Sequence, residues 1–379
     1  MKLFKKALVL MTVLALIFSM SAISTSAATP PTVSIDGSPI KIDSSLLGDP
    51  YIDSANRTQV HIRAISQSLG ADIAWDQATQ TATIDGTIKI KVGATAIETP
   101  YGPIAMDTSA VNLNGKIYVP AKYVAYALGY DIEGINDGGK ITANIITKTD
   151  LTISAAASLT DALKEIQTLY KAEKPNATLA INFGGSGALQ QQIEQGAPAD
   201  VFFSAATSNM NALKDKGLMD DSTIKNLLKN TLVLVIPSDS KSTIRMFEEV
   251  KASTDVKKIA LGDAATVPAG KYAQQVFKFY NELDEVLAKA VTAKDVREVL
   301  TWVETGNVDA GVVYSTDAYT SDKVKIVATA ANGTHDPIVY PAGVVKATKH
   351  PAAARDFVNF LSSETAAKVF EKYGFSLAD

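Results

Sequence analysis

LTISAAASLTDALKEI, residues 151–166, feeds a strand into a helix and decides how the larger part of the chain is read. Residues 151–156 are short and apolar, the pattern of a buried strand. Ser158-Leu159-Thr160-Asp161 sets a Ser three residues before an Asp, a capping-box-like helix start. Leu159, Ala162, Leu163, Ile166 and Leu169 then recur on one helical face. The same order returns at once: 178–183 reads as a strand, Gly184-Gly185-Ser186-Gly187 as a turn, and 188–195 as a helix. Each turn puts a Ser hydroxyl and free backbone N–H groups where a strand enters a helix. Helix N-termini carry unpaired donors and the positive end of the helix dipole, so they are natural anion sites. The alternation of strand and helix points to an α/β fold.

Three further turns repeat the theme downstream. Val267-Pro268-Ala269-Gly270 precedes a helical stretch, with Pro suited to its first position. Thr292-Ala293-Lys294-Asp295 reads as another capping box, with Val296 just after it. Residues 310–314 form an apolar strand ending in Tyr314.

Upstream the pattern differs. Lys2, Lys5 and Lys6 precede an apolar run over 7–23, and Ser26-Ala27-Ala28 offers small residues for cleavage. Residues 1–28 therefore read as a secretory signal peptide. Cleavage after Ala28 removes three lysines and takes the net charge from −4 to −7. Residues 29–147 read as a small α+β module with an internal repeat: VHIRAISQSLG at 60–70 returns as VPAKYVAYALG at 119–129. Each copy ends on a Gly suited to a left-handed helix cap. Residues 72–76 and 81–84 follow as a hairpin, and Asp131-Ile132 starts the second copy's counterpart.

Composition removes whole classes of function. The chain has no Cys, which excludes disulfides, thiolate metal sites, a Cys nucleophile and a lipid anchor through Cys. With 36 Lys+Arg against 40 Asp+Glu there is no basic excess for nucleic acid. His61, His335 and His350 have no metal-ligand spacing, no Ser-His-Asp order has a supporting motif, and the GGSG run lacks the Lys-Ser/Thr of a phosphate loop. Asp200 and Asp263 read as solvated or capping carboxylates. The expectation is no enzyme, no catalytic residue, no cofactor and no direct cation ligand.

Taken together, SAAASLTDALKEI at 154–166, NFGGSGALQQQIEQGAPADVFFSA at 182–205, LGDAATVPAGKYA at 261–273, DVREVLTWVETGNVDAGVVYSTDA at 295–318, PIVYPAGVVK at 337–346 and FEKYGF at 370–375 resemble the periplasmic molybdate-binding proteins of ABC importers. The resemblance spans 151–379. It implies the two-lobed class II periplasmic-binding-protein fold, with lobe 1 over about 151–232 and 340–379, lobe 2 over about 237–327, and crossings near 232–237 and 327–341. It also implies a ligand set: Ser158 and Ser186 from lobe 1, each through hydroxyl and backbone N–H; Ala269 and Val296 through backbone N–H; and Tyr314 through its hydroxyl. All five can donate and none is charged. Such a set favours a fully deprotonated tetrahedral oxyanion (molybdate, tungstate or sulfate) over hydrogen phosphate, whose proton calls for an acceptor. The implied partners are molybdate or tungstate and the importer's membrane permease, and the implied location is exported, periplasmic or at the cell surface.

Residues 31–147 resemble the copper amine oxidase N-terminal, or stalk-type, domain. The copper in that name is not carried over, because His61 is this module's one histidine. Its expected role is spacing, cell-wall association or self-association. The competing reading is a cell-surface interaction or scaffold protein that works through this module, with a degenerate anion-binding domain.

Overall fold

The computed structural model describes residues 29–378, so the expected signal peptide lies outside the described residues. In the N-terminal module, strand Thr58–His61 runs into helix Ile62–Ser68, and strand Lys116–Pro120 into helix Ala121–Ala127. The strands pair antiparallel with the equivalent residues Val60 and Val119 opposite each other, so the two copies of the repeat face one another. Gly70 and Gly129 follow the helices at φ 79° and 78°, the left-handed conformation expected of them. Each copy then supplies a hairpin: Ile73–Asp76 with Thr81–Ile84, and Asp131–Asp137 with Lys140–Ile146. Val60, Ile65, Ile90, Val119, Val124 and Ile145 are fully buried between these layers.

Two residues, Thr147 and Lys148, separate strand Lys140–Ile146 from strand Thr149–Ala156. That short link is fixed, because the Asp36 carboxylate accepts from the Thr147 N–H at 2.9 Å and from its hydroxyl at 2.6 Å. Helix Pro351–Leu361 packs on helix Ala121–Ala127 and strand Asp131–Asp137. Across this seam Asp131 accepts from the Ala352 N–H at 2.9 Å, and Lys174 donates to the Leu128 carbonyl at 3.1 Å.

Beyond the link lie two sheets. The first runs in the order Ala177–Gly184, Thr149–Ala156, Val201–Phe203, Val339–Val344, Lys225–Lys229, Ser376–Leu377; its first three strands are parallel and Val339–Val344 is antiparallel. The second runs in the order Ala290–Ala293, Ile259–Gly262, Ala310–Tyr314, Leu232–Pro237, Val324–Thr329. Helices cover the sheets, which is why strands such as Ala310–Tyr314 are apolar throughout rather than alternating. This is the two-lobed class II periplasmic-binding-protein architecture. One apolar core runs through both lobes, from Leu163, Phe203 and Phe357 in the first to Val235, Val276 and Val312 in the second. Truncating one such Phe to Ala costs about 3–5 kcal/mol.

Three expectations need correction. Leu232–Pro237 is no crossing: its run of apolar residues is buried, and it pairs on both edges inside the second sheet. The chain crosses at Asn230-Thr231, so lobe 1 ends before Leu232. Ser158 does not cap a helix; it sits inside a single 3-10 turn, Ala157–Leu159, ahead of helix Thr160–Glu173. Thr292 lies in strand Ala290–Ala293, and the helix is instead capped three residues later by Asp295. There Asp295 accepts from the Glu298 N–H at 2.9 Å, while Glu298 accepts from the Lys294 N–H at 2.8 Å.

Candidate functional site

Three of the expected site residues occupy first turns of helices. Ser186 opens helix Ser186–Glu194, Ala269 is second in Pro268–Phe279, and Val296 opens Val296–Glu304. N–H groups at such positions have no partner within their own helix. Ser158 adds the turn Ala157–Leu159, and Tyr314 ends strand Ala310–Tyr314. All five are between 1% and 3% exposed.

The two lobes bring these turns together. The Gly187 N–H donates to the Thr266 carbonyl at 2.8 Å, joining the turn of Ser186 to the turn that leads into Ala269. A Cβ placed on Gly185 would lie 2.8 Å from the Thr266 carbonyl oxygen and 2.9 Å from that of Lys294, two residues before Val296. Only a residue without a side chain permits this approach. The turn of Ser158 packs on helix Val296–Glu304. Ser158 Oγ stands 3.0 Å from Tyr340 Oη, and the Tyr340 ring meets the Tyr314 ring edge-on at 5.8 Å. Burial raises both phenols well above their usual range, so both stay protonated and able to donate. The Tyr314 hydroxyl is buried beside the Tyr340 hydroxyl and makes no well-formed hydrogen bond among the described residues. Leaving such a group unpaired costs about 1–3 kcal/mol.

Charge sits beside the donors rather than among them. Arg297 follows Val296 and bridges the lobes, with Nη2 2.7 Å from Asp161 of lobe 1 and Nε 2.7 Å from Asp317 of lobe 2. Asp317 is fully buried; burial pushes its carboxyl up to about 6, with Arg297 pulling the other way. Sequence reasoning left out Asp161 and Arg297 as a pair, and also Tyr340. Arg297 and Tyr340 lie within the motif segments DVREVL and PIVYP, but no spacing in the chain announces their partners.

The other titratable candidates have structural work. The His61 ring accepts from the Arg63 N–H at 3.2 Å and caps its helix. Asp200 accepts from the Thr152 N–H at 2.7 Å, and Asp263 from the Ala265 N–H at 3.0 Å. Among the described residues no group of three His, Cys, Asp or Glu could hold a metal ion, and no helix is long and apolar enough to cross a membrane.

A family model described as bacterial extracellular solute-binding protein matches residues 151–376. The chain belongs to that family. A second model, described as copper amine oxidase N-terminal domain, matches residues 34–143. YvgL of Bacillus subtilis (strain 168), whose name proposes an ABC transporter substrate-binding lipoprotein, is 50% identical over 229 residues, covering 60% of this chain and 87% of that protein. The molybdate-binding protein ModA of Haemophilus influenzae is 40% identical over 229 residues, covering 60% of this chain and 89% of ModA. Among solved structures, the periplasmic molybdate-binding protein of Azotobacter vinelandii superposes with a TM-score of 0.55 at 22% identity, covering 60% of this chain and all of that one. That likeness supports the fold of this solute-binding protein; its ligand has to be argued from its own donors.

Proposed function

We propose that this solute-binding protein captures molybdate, and tungstate with it, outside the cytoplasm and delivers the anion to the permease of an ABC importer. What supports the reading is the buried Tyr314 hydroxyl, without a well-formed hydrogen bond, together with the close packing of the turns of Ser158, Ser186, Ala269 and Val296 across the lobes. An oxyanion held there would take a hydrogen bond from each of the five, and the helix N-termini would stabilise its charge without a Lys or Arg. The donors come from both lobes, so a bound anion would hold the cleft shut. The ModA relatives, named for molybdate, give the choice among oxyanions. Residues 1–28 would direct export. With no Cys available for a lipid anchor, the N-terminal module is the candidate for keeping the protein near its importer, through the wall or a second copy.

Calorimetric titration with molybdate, tungstate, sulfate and phosphate tests this. Molybdate and tungstate should bind one to one and raise the melting temperature, since a ligand selective for the native state stabilises it by about 4 kcal/mol at a thousand times its Kd. Replacing both Ser158 and Ser186 by Ala should weaken binding about 100-fold or more, each hydroxyl to a charged ligand being worth about 1.5–3 kcal/mol. No heat and no melting shift with either anion at about millimolar concentration, where even weak sites fill, would refute the proposal.

A further inference from the structure

We propose that the cavity between the N-terminal module and lobe 1 is a second ligand site, which takes a phosphate ester of a sugar or polyol, with Lys225, Arg355 and Asn359 on the phosphate and Tyr101 against the carbon frame. The inference goes beyond the oxyanion reading and does not rest on it, because none of the five interlobe donors lines this cavity.

The cavity has a volume of about 370 Å³, within the size range of small-molecule sites. Its two walls come from different domains and differ in chemistry. The module supplies Pro100, Tyr101 and Pro103 from the turn after strand Ala96–Glu98, and Tyr126 from helix Ala121–Ala127. That turn is held by the Thr99 hydroxyl, which donates to the Gly102 carbonyl at 2.6 Å. Lobe 1 supplies Lys225, the first residue of strand Lys225–Lys229, with Arg355 and Asn359 from helix Pro351–Leu361. The last two are four residues apart and so share one helical face.

The lobe 1 wall has donors to spare. Lys225 Nζ donates to Asn359 Oδ1 at 2.9 Å and lies 5.5 Å from the centre of the Tyr101 ring, and it has no carboxylate partner among the described residues. Burial, and Arg355 nearby, pull its pKa below the usual lysine range, as expected of an ammonium short of counter-charge. Because an ammonium can only donate, it fixes the Asn359 amide with Oδ1 toward Lys225, and both Nδ2 hydrogens stay free. Arg355 uses Nη2 on Asp220 at 2.7 Å and on Ser222 at 3.3 Å; its Nε and Nη1 make no hydrogen bond among the described residues. The carboxylates in the wall are already engaged. Asp356 takes the Tyr170 hydroxyl at 3.0 Å and faces Lys174 at 3.5 Å, and Asp85 accepts from the Asp72 N–H at 2.8 Å. An ammonium, a guanidinium edge and an amide offer more hydrogens than the two oxygens of a carboxylate take up, and they suit the non-bridging oxygens of a phosphate ester.

The module wall sets what carries the phosphate. Tyrosine and proline rings give an apolar face for a carbon frame. The Tyr101 and Tyr126 hydroxyls make no hydrogen bond among the described residues, so they can meet hydroxyls on that frame. An occupant touching both walls would tie the module to lobe 1.

The test is calorimetric titration of the full chain with glycerol phosphate and, separately, with a poly(glycerol phosphate) chain, both in excess molybdate to keep phosphate out of the interlobe cleft. Wild type should bind at about millimolar concentration or below. Lys225→Gln, which keeps a neutral donor, should weaken binding about 10-fold or more, and Tyr101→Ala, from the other wall, about 5-fold. Molybdate affinity should be the same in both variants, which shows that the fold is intact. Binding of the chain at least about 10-fold tighter per phosphate than the monomer, the gain that linked sites give, marks a polymer as the source; a smaller difference marks the free ester. No binding of either probe at about 10 mM, or undiminished binding in either variant, overturns the proposal.

Discussion

The molecule has two seams, and they are built for different purposes. Where the N-terminal module meets lobe 1, side chains reach across to backbone groups, and the buried Asp131 Oδ2 and His350 Nδ1 face each other at 3.7 Å. Asp131 takes the Ala352 N–H, Lys174 reaches both the Leu128 carbonyl and, at 3.5 Å, Asp356, and the Tyr170 hydroxyl donates to Asp356 at 3.0 Å. Gly129 sits so close that an added Cβ would lie 2.6 Å from the Asp356 carboxyl. Where lobe 1 meets lobe 2, the contacts include a backbone hydrogen bond from Gly187, the Arg297 clasp, the Asn230 side chain and the Tyr314–Tyr340 ring contact, with the Tyr314 hydroxyl left without a well-formed hydrogen bond. At the first seam the buried polar atoms without a hydrogen bond, Asp131 Oδ2 and His350 Nδ1, face one another. On the proposed function, a ligand completes the second, which is what a capture site requires.

The sharpest way to break this contrast is Gly185→Ala. Its backbone is extended at φ −63°, so Ala fits the open chain without strain, yet the new Cβ would strike two carbonyl oxygens of the opposite lobe. Closure would stop short of the donors at Ala269, Val296 and Tyr314. Anion affinity should fall about 100-fold or more, by the loss of several charged hydrogen bonds, while ligand-free unfolding stays cooperative. Titration calorimetry beside thermal unfolding separates the two.

Gly129→Ala probes the other seam and should show the reverse. A φ of 78° and the overlap with Asp356 should together cost about 1–3 kcal/mol of stability, read as a lowered urea midpoint. Molybdate affinity should not change, because the seam lies away from the donors.

Asp317 gives a smaller, pH-dependent test of the interlobe clasp. Its folded-state carboxyl is raised from 3.8 to about 6, so folding favours the protonated form. That contribution is fully present below about pH 4 and is lost as pH rises through about 6. Asp317→Asn cannot titrate there. The stability difference between variant and wild type should therefore shift in favour of the variant between pH 4 and pH 8, measured by urea unfolding without ligand.

Much of this was legible in the chain, and the failures share one cause. The strand-turn-helix order around Ser158 and Ser186, the helix at Pro268 and the strand ending in Tyr314 follow from local periodicity, which survives folding. So does the repeat itself, whose two copies carry the same short pattern; that the two strands pair does not. The reading of Ser158 as a cap went wrong because a serine before an acidic residue has two uses, and the choice depends on Tyr340, 182 positions away. Leu232–Pro237 was misplaced because an apolar run at a lobe boundary looks the same whether it links two sheets or enters one. Arg297, Asp161 and Asn230 were missed for the same reason: their partners come from other segments, and sequence order holds no trace of who will meet whom.

The central claim is that one fully deprotonated oxyanion sits between the lobes on donors from Ser158, Ser186, Ala269, Val296 and Tyr314. Anomalous scattering from tungsten in a crystal grown with tungstate locates the anion without assumptions about the protein. A single peak bounded by those five residues, with the lobes closed on it, is the predicted result. A peak elsewhere, or none at saturating tungstate, would contradict the account.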